Sequence, residues 1–175
     1  MRGLRRIGGV AVQTGELKFW PRDQGGRFCG RDFMITRESN SVRETESIAG
    51  ELAGSLRGGE CIALFGDLGA GKTQFTRGLV HALGGPAKAV SSPTFVLLNV
   101  YPGGRLKVYH LDAYRVCGSE DFESIGFTEL LEQGGVVVVE WAERVSALLP
   151  ANHISVTITA IGESSRQIDI DVIRP

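Results

Sequence analysis

The stretch "GDLGAGKT", residues 66–73, decides the fold. It has the spacing G-x-x-x-x-G-K-[ST], in which glycines let successive backbone N–H groups converge on phosphate oxygens. "ECIALFG" (60–66) precedes it and reads as a short buried strand. Residues 72–83 follow with Phe75, Leu79 and Leu83 on one helical face, and "GGP" (84–86) ends that helix. Strand, glycine-rich turn and helix in that order set the positive end of a helix against a phosphate group. Lys72 then reaches the β- and γ-phosphates and the Thr73 hydroxyl coordinates magnesium. Lysine is scarce, at 18, 72, 88 and 107 only. Chance therefore produces the pattern in on the order of one in a hundred chains of this composition. The loop as a whole, Gly66, Asp67, Leu68, Gly69, Ala70, Gly71, Lys72 and Thr73, is assigned to a nucleotide.

Outward from this unit, strands and helices keep mixing. "SVRE" (41–44) is a capping box, with Ser41 as N-cap and Glu44 three residues on. Ile48, Leu52 and Leu56 continue that helix and Gly58-Gly59 stops it. "FVLLNVY" and "RLKVYHLDAY" flank "PGG" as a β-hairpin, and "EDFESIGFTELLEQ" is helical or irregular. "GGVVVVEWAER" (134–144) carries a continuous apolar strand, and "ERVSALLP" reads as a short helix. Two alternating strands, "ISVTITAI" and "RQIDIDVI", enclose the turn "GESS". The pattern predicts an α/β fold, a P-loop NTPase-like three-layer sandwich. Its sheet is mixed and mainly parallel, with an antiparallel hairpin and C-terminal edge strands.

A chain of 175 residues with 42% apolar and 22% charged residues is sized for one ordinary soluble domain. The formal net charge of -1 makes no case for a surface that binds polyanions, but it is unevenly spread. Residues 1–33 hold 7 Lys/Arg against 3 Asp/Glu, while residues 34–175 hold 12 against 17. Residues 1–33 lack periodicity and are expected to be a poorly ordered extension, either a start placed too early or a basic arm that touches RNA. Residues 34–175 are expected to form the single P-loop ATPase domain. Cys29, Cys61 and Cys117 have no metal-ligand spacing and imply no disulfide framework, which favours a reducing cytoplasm. No apolar run approaches a membrane span, and "IGGVAV" is short for a signal h-region. The expectation is a cytoplasmic protein with no membrane partner.

No Asn/Thr-Lys-x-Asp base-reading motif accompanies the four lysines, so adenine is favoured over guanine. Arg105 and Arg115 do not cluster into a kinase lid, which favours hydrolysis or switching. "SSPTF" (91–95), through Ser92, Pro93 and Thr94, is either a switch-like loop answering the γ-phosphate or a plain turn into a strand. "YHLDAYR" (109–115) puts His110 and Asp112 on one face of an extended segment. An aspartate at a strand end of an α/β sheet is either well placed to hold a metal-bound water or simply a solvent-facing strand end. Glu140 ends the valine strand, where a charge is costly unless it meets a cation or solvent. Strand alternation turns Trp141 to the face opposite Glu140, so packing is its default role.

"GDLGAGKT", "SSPTF", "YHLDAYR" and "VEWAE", in this order, resemble the TsaE family, and the likeness covers roughly residues 41–173. This is the P-loop ATPase family of bacterial tRNA threonylcarbamoyladenosine biosynthesis. The resemblance implies ATP and Mg²⁺ as cofactors and a TsaB/TsaD-like heterodimer as partner, with tRNA engaged indirectly through the complex. It implies weak hydrolysis alone and activation in the complex, in modification of the adenosine next to the anticodon of tRNAs reading codons that begin with A. By the same resemblance Lys72 and Thr73 hold phosphates and metal, Glu140 is the second metal ligand, and Asp112 is the acidic residue needed for hydrolysis. Thr45, ahead of the first helix body, and Arg166, leading the last strand, match nucleotide-contacting positions. A small-molecule kinase and a non-catalytic nucleotide switch are the alternatives.

Overall fold

The computed structural model describes residues 4–7, 10–14, 33–116 and 119–174. In chain order these form β1 (Leu4–Ile7), β2 (Val10–Thr14), β3 (Phe33–Ser39), α1 (Val42–Ala53), β4 (Cys61–Phe65) and α2 (Lys72–Ala82). β5 (Leu98–Tyr101), β6 (Val108–Asp112), α3 (Ser119–Ser124), α4 (Phe127–Glu132), β7 (Val136–Glu140), β8 (His153–Ala160) and β9 (Arg166–Ile173) follow. The described strands make one mixed sheet in the order β1-β2-β3-β9-β8-β4-β7-β6-β5. β8, β4, β7 and β6 run parallel at its centre, while β5 pairs antiparallel with β6, and β9 antiparallel with β8 and β3.

The three layers follow from strand alternation. Ile62, Leu64, Val136 and Val138 face α1 and α2, whereas Cys61, Ala63, Val137 and Val139 face α3, α4 and the turns at 142–148. β4 and β7 are apolar on both faces because helices cover both faces, as the continuous valine run requires. β8 alternates instead: Ile154, Val156 and Ile158 meet the helix layer and the intervening residues are partly open. Burial pushes the Cys61 thiol up to about 12, so it behaves as a small apolar side chain. Cys29 and Cys117 lie outside the described residues. No helix among the described residues is long and apolar enough to cross a membrane.

Four local features depart from the sequence pattern. β3 has no strong periodic signal, yet it pairs with β9 over six residues, so the C-terminal hairpin is not at the edge but sits three described strands in from that flank. The hairpin strand begins at Leu98, not Phe95, because Pro93 O accepts from Val96 and Leu97 N–H (3.0 and 2.7 Å) and turns the chain. "ERVSALL" forms 3-10 turns broken at Val145, not a helix. Of the expected N-terminal extension, residues 4–7 and 10–14 are described as strands, β1 pairing with β2 and β2 with β3, and the remainder lies outside the described residues.

α1 and α2 pack against each other closely enough that a Cβ at Gly78 would lie 2.3 Å from the Glu46 carbonyl oxygen and 2.6 Å from its Cα. Both are backbone atoms of a helix and cannot swing aside, so overpacking must move one helix. Gly78→Ala is expected to lower stability by about 1–3 kcal/mol in urea unfolding, against the gain that Ala ordinarily brings to a helix interior.

Candidate functional site

β4, β7 and β6 end along one edge, where doubly wound sheets bind ligands. β4 runs directly into the loop 66–71, and α2 starts at Lys72. Gly66 (φ 138°) makes the departure possible: a Cβ there would sit 2.4 Å from the Ile158 carbonyl oxygen of β8. Arg166, first residue of β9, braces the loop from outside. Its Nε donates to Ala70 O (3.0 Å) and one guanidinium nitrogen to Gly69 O (3.4 Å), and the other donates to carbonyls of the 162–165 turn. Ala70 N donates to Asp67 O (3.1 Å), and with the Gly69 and Ala70 carbonyls held outward the neighbouring N–H groups of the loop can face an anion.

Register aligns the acidic pair. Asp112 of β6 stands opposite Glu140 of β7, and alternation turns both to the α2 side. Thr73, in the first turn of α2, donates its hydroxyl to Glu140 Oε1 at 2.8 Å. His110 Nε2 lies 2.7 Å from the same oxygen. Among the described residues no hydrogen bond reaches Oε2, although Glu140 is only 3% exposed. Asp112 is 1% exposed. Ser92 Oγ and Thr94 Oγ1 both donate to its Oδ2 at 2.7 Å, and Tyr114 N donates to Oδ1 at 2.8 Å. The "SSPTF" loop is thus fastened to Asp112 by two hydroxyls, with Pro93 making the turn between them and Phe95 and Val96 projecting into solvent.

Lys72 closes the site. Nζ donates to Gly66 O (2.5 Å) and Asp67 O (3.0 Å) and lies 3.7 Å from the centre of the Trp141 ring. Burial lowers its pKa from the ordinary lysine value, and the charges of Glu140, Glu143, Asp112 and Asp67 only partly oppose that. Trp141 is therefore not simply the next residue of a strand. β7 ends at Glu140 and Trp141 adopts a left-handed backbone (φ 57°), which swings the ring under Lys72 and against Tyr114, centroids 4.9 Å apart. A non-glycine residue in that region is strained, and the cation–π contact helps to hold it.

The remaining positions divide. Thr45 lies inside α1, whose N-cap is Ser41, and not ahead of the helix body. The capping box continues through the first turn, with Glu44 Oε2 accepting from Asn40 N at 2.8 Å. Thr45 is buried, bonded to Ser39 Oγ at 2.8 Å, and with Arg166 and the loop residues Gly69 to Gly71 it lines a cavity of about 470 Å³. That volume suits a nucleoside. Arg105 instead donates to Leu56 O and Ala53 O at the end of α1 (2.6 and 2.7 Å), and Arg115 lies 4.3 Å from the Phe95 ring centre. Neither forms a lid over the loop. Tyr101, whose hydroxyl ties Ser91 and His110 together, went unread in the sequence because nothing local marks a strand tyrosine as polar-facing.

A strand-loop-helix phosphate cradle, a hydroxyl in the helix's first turn and a carboxylate at the end of the adjacent strand define a P-loop ATPase-type protein. Residues 39–168 match the family described as Threonylcarbamoyl adenosine biosynthesis protein TsaE. The chain is 38% identical over 136 residues to the tRNA threonylcarbamoyladenosine biosynthesis protein TsaE of Treponema pallidum, spanning 78% of this chain and 97% of that one. It is 38% identical over 125 residues to the TsaE protein of Bacillus subtilis, spanning 71% and 77%. The crystal structure of Bacillus subtilis YdiB superposes with a TM-score of 0.66 at 31% identity, over 80% of this chain and 86% of that one. The chain belongs to the TsaE family.

Lysine titration reads the site directly. After reductive ¹³C-methylation, one of the lysine resonances is expected to titrate below the ordinary lysine range and to be missing from Lys72→Met. A Lys72 signal that moves with the other lysines would contradict the burial described here.

Proposed function

We propose that this protein is the ATP-hydrolysing subunit in threonylcarbamoyladenosine modification of tRNA, acting on the adenosine next to the anticodon in tRNAs reading codons that begin with A. Residues 34–175 form its ATPase domain. It works within a complex with a TsaB/TsaD-like heterodimer, and tRNA is reached through that complex. Family membership supports the pathway. The observation that carries the chemistry is the pairing of Asp112 with Glu140 beside Thr73, at the mouth of the phosphate loop.

In this reading the anionic phosphates replace Gly66 O and Asp67 O as partners of Lys72, and charge on the ligand favours the protonated amine. The residues fit a magnesium ion. Glu140 offers a buried carboxylate oxygen with no hydrogen bond among the described residues, and Thr73 a hydroxyl against the other oxygen. Among the described residues no cluster of three His, Cys, Asp or Glu is positioned to hold an ion, so the other ligands would be phosphate and water oxygens, as magnesium prefers. Bound there, the ion would neutralise charge on the transferring phosphoryl group. Asp112 orients the attacking water once Ser92 and Thr94 release its Oδ2, which makes the "SSPTF" loop the gate on hydrolysis. Trp141 holds Lys72 while the phosphates are absent.

ATP turnover by the isolated protein is expected to be weak and to rise when the TsaB/TsaD-like pair is added; no stimulation by the cognate pair would sink the proposal. Asp112→Ala should retain nucleotide binding and lose turnover in the complex on the order of a hundredfold or more. Lys72→Ala should lose binding itself. If Asp112→Ala still supports tRNA modification, the protein is a nucleotide switch and not a hydrolase.

A further inference from the structure

His110 is fully buried in the middle of β6, where an imidazole is costly unless both nitrogens are satisfied. Its register partner is Val138, so the ring reaches diagonally to Glu140, two residues further along β7. Glu140 Oε1 is a carboxylate acceptor, which requires the proton on Nε2 of His110, 2.7 Å away. Thr73 Oγ1 donates to that same oxygen at 2.8 Å. Two donors converging on one oxygen fix the carboxylate's rotamer, and among the described residues no hydrogen bond reaches Oε2. The other end of the ring is held as well. With its proton on Nε2, the ring accepts at Nδ1 from the Tyr101 hydroxyl 3.4 Å away, and that hydroxyl in turn accepts from Ser91 N (3.3 Å). Asn99 Nδ2 donates to Ser91 O, at 3.2 Å. Ser91 is the residue that opens the "SSPTF" loop.

We propose that His110 is a positioning residue for the magnesium-binding carboxylate. Through Nε2–H it holds Glu140 in the orientation that receives the ion, and through Tyr101 it ties that orientation to the base of the loop that holds Asp112. A partner that only aims a ligand changes affinity for the ion and leaves the phosphate cradle intact. This rests on the reading of Glu140 as a metal ligand given above.

Binding of a fluorescent ATP analogue to the full-length protein, measured in EDTA and across a magnesium titration, separates the two affinities. In EDTA, His110→Ala is expected to bind the nucleotide as the wild type does, while its half-saturating magnesium concentration rises on the order of tenfold or more. His110→Gln, whose amide nitrogen reaches the Nε2 position, should restore most of the loss; His110→Asn, whose amide reaches only the Nδ1 position, should not. Tyr101→Phe should shift the magnesium requirement in the same direction by a smaller factor. A folded His110→Ala protein with wild-type magnesium dependence overturns the proposal, as does equal behaviour of the Gln and Asn variants, and the latter comparison stands even if the alanine variant does not fold. Wild-type binding indifferent to magnesium overturns the metal-ligand reading of Glu140 and this proposal with it. A magnesium-dependent wild type beside a folded His110→Ala with the same half-saturating magnesium concentration overturns this proposal alone.

Discussion

Parallel hydrogen bonding of β7 to both β4 and β6 is the constraint on which the site depends. It puts the phosphate loop, Glu140 and Asp112 at the same ends of adjacent strands, and its register sets the two carboxylates side by side. Strand alternation then directs both toward the first turn of α2, where Thr73 meets Glu140. A one-residue slip of β7 would send Glu140 to the other face and bring a neutral side chain to Thr73. The apolar run 136–139 prevents that slip only in part, since valines suit either face. What pins the register is the charged end itself, which has partners on one side only.

Three buried charges gathered at one end of the sheet would ordinarily oppose folding. Here each has compensation. Lys72 has two loop carbonyls and an indole face, Glu140 has a hydroxyl and an imidazole, and Asp112 has two hydroxyls and a backbone N–H. Most of these partners are neutral, so the groups stay exchangeable: a phosphate can replace a carbonyl at Lys72 without breaking an ion pair. In the proposed function, loop, lysine and carboxylates are pre-assembled around positions that a nucleotide would take over, and the remaining cost is carried by the helix–sheet core on both faces.

Much of this was legible one residue at a time. The strand-loop-helix around "GDLGAGKT" is a local pattern in which each glycine has a backbone reason, and the capping box at Ser41 and Glu44 is likewise self-contained. The His-x-Asp spacing put His110 and Asp112 on one face of a strand, and the structure keeps them there. Other features were not local. β3 owes its place to β9, 133 residues away at the Thr36–Asp169 hydrogen bond, and carries little periodicity of its own. Phe95 and Val96 read as strand by composition, yet they project into solvent because the Pro93 carbonyl turns the chain while Asp112 holds Thr94. Thr45 read as preceding the helix body, yet with the N-cap at Ser41 it lies inside α1, buried against Ser39.

By itself, the sequence marked the phosphate loop and the alternation of strands and helices through spacing along the chain, and it offered Lys72, Thr73, Asp112 and Glu140 as candidate site residues through spacing and resemblance together. Only the tertiary structure decided which atoms meet. That Trp141 leaves the strand and shelters Lys72, that His110 supports Glu140 and not solvent, and that Ser92 and Thr94 occupy Asp112 all depend on pairing between segments far apart in the chain. Periodicity encodes which face a side chain takes, whereas contacts across strands are set by register, and register is a property of the assembled sheet.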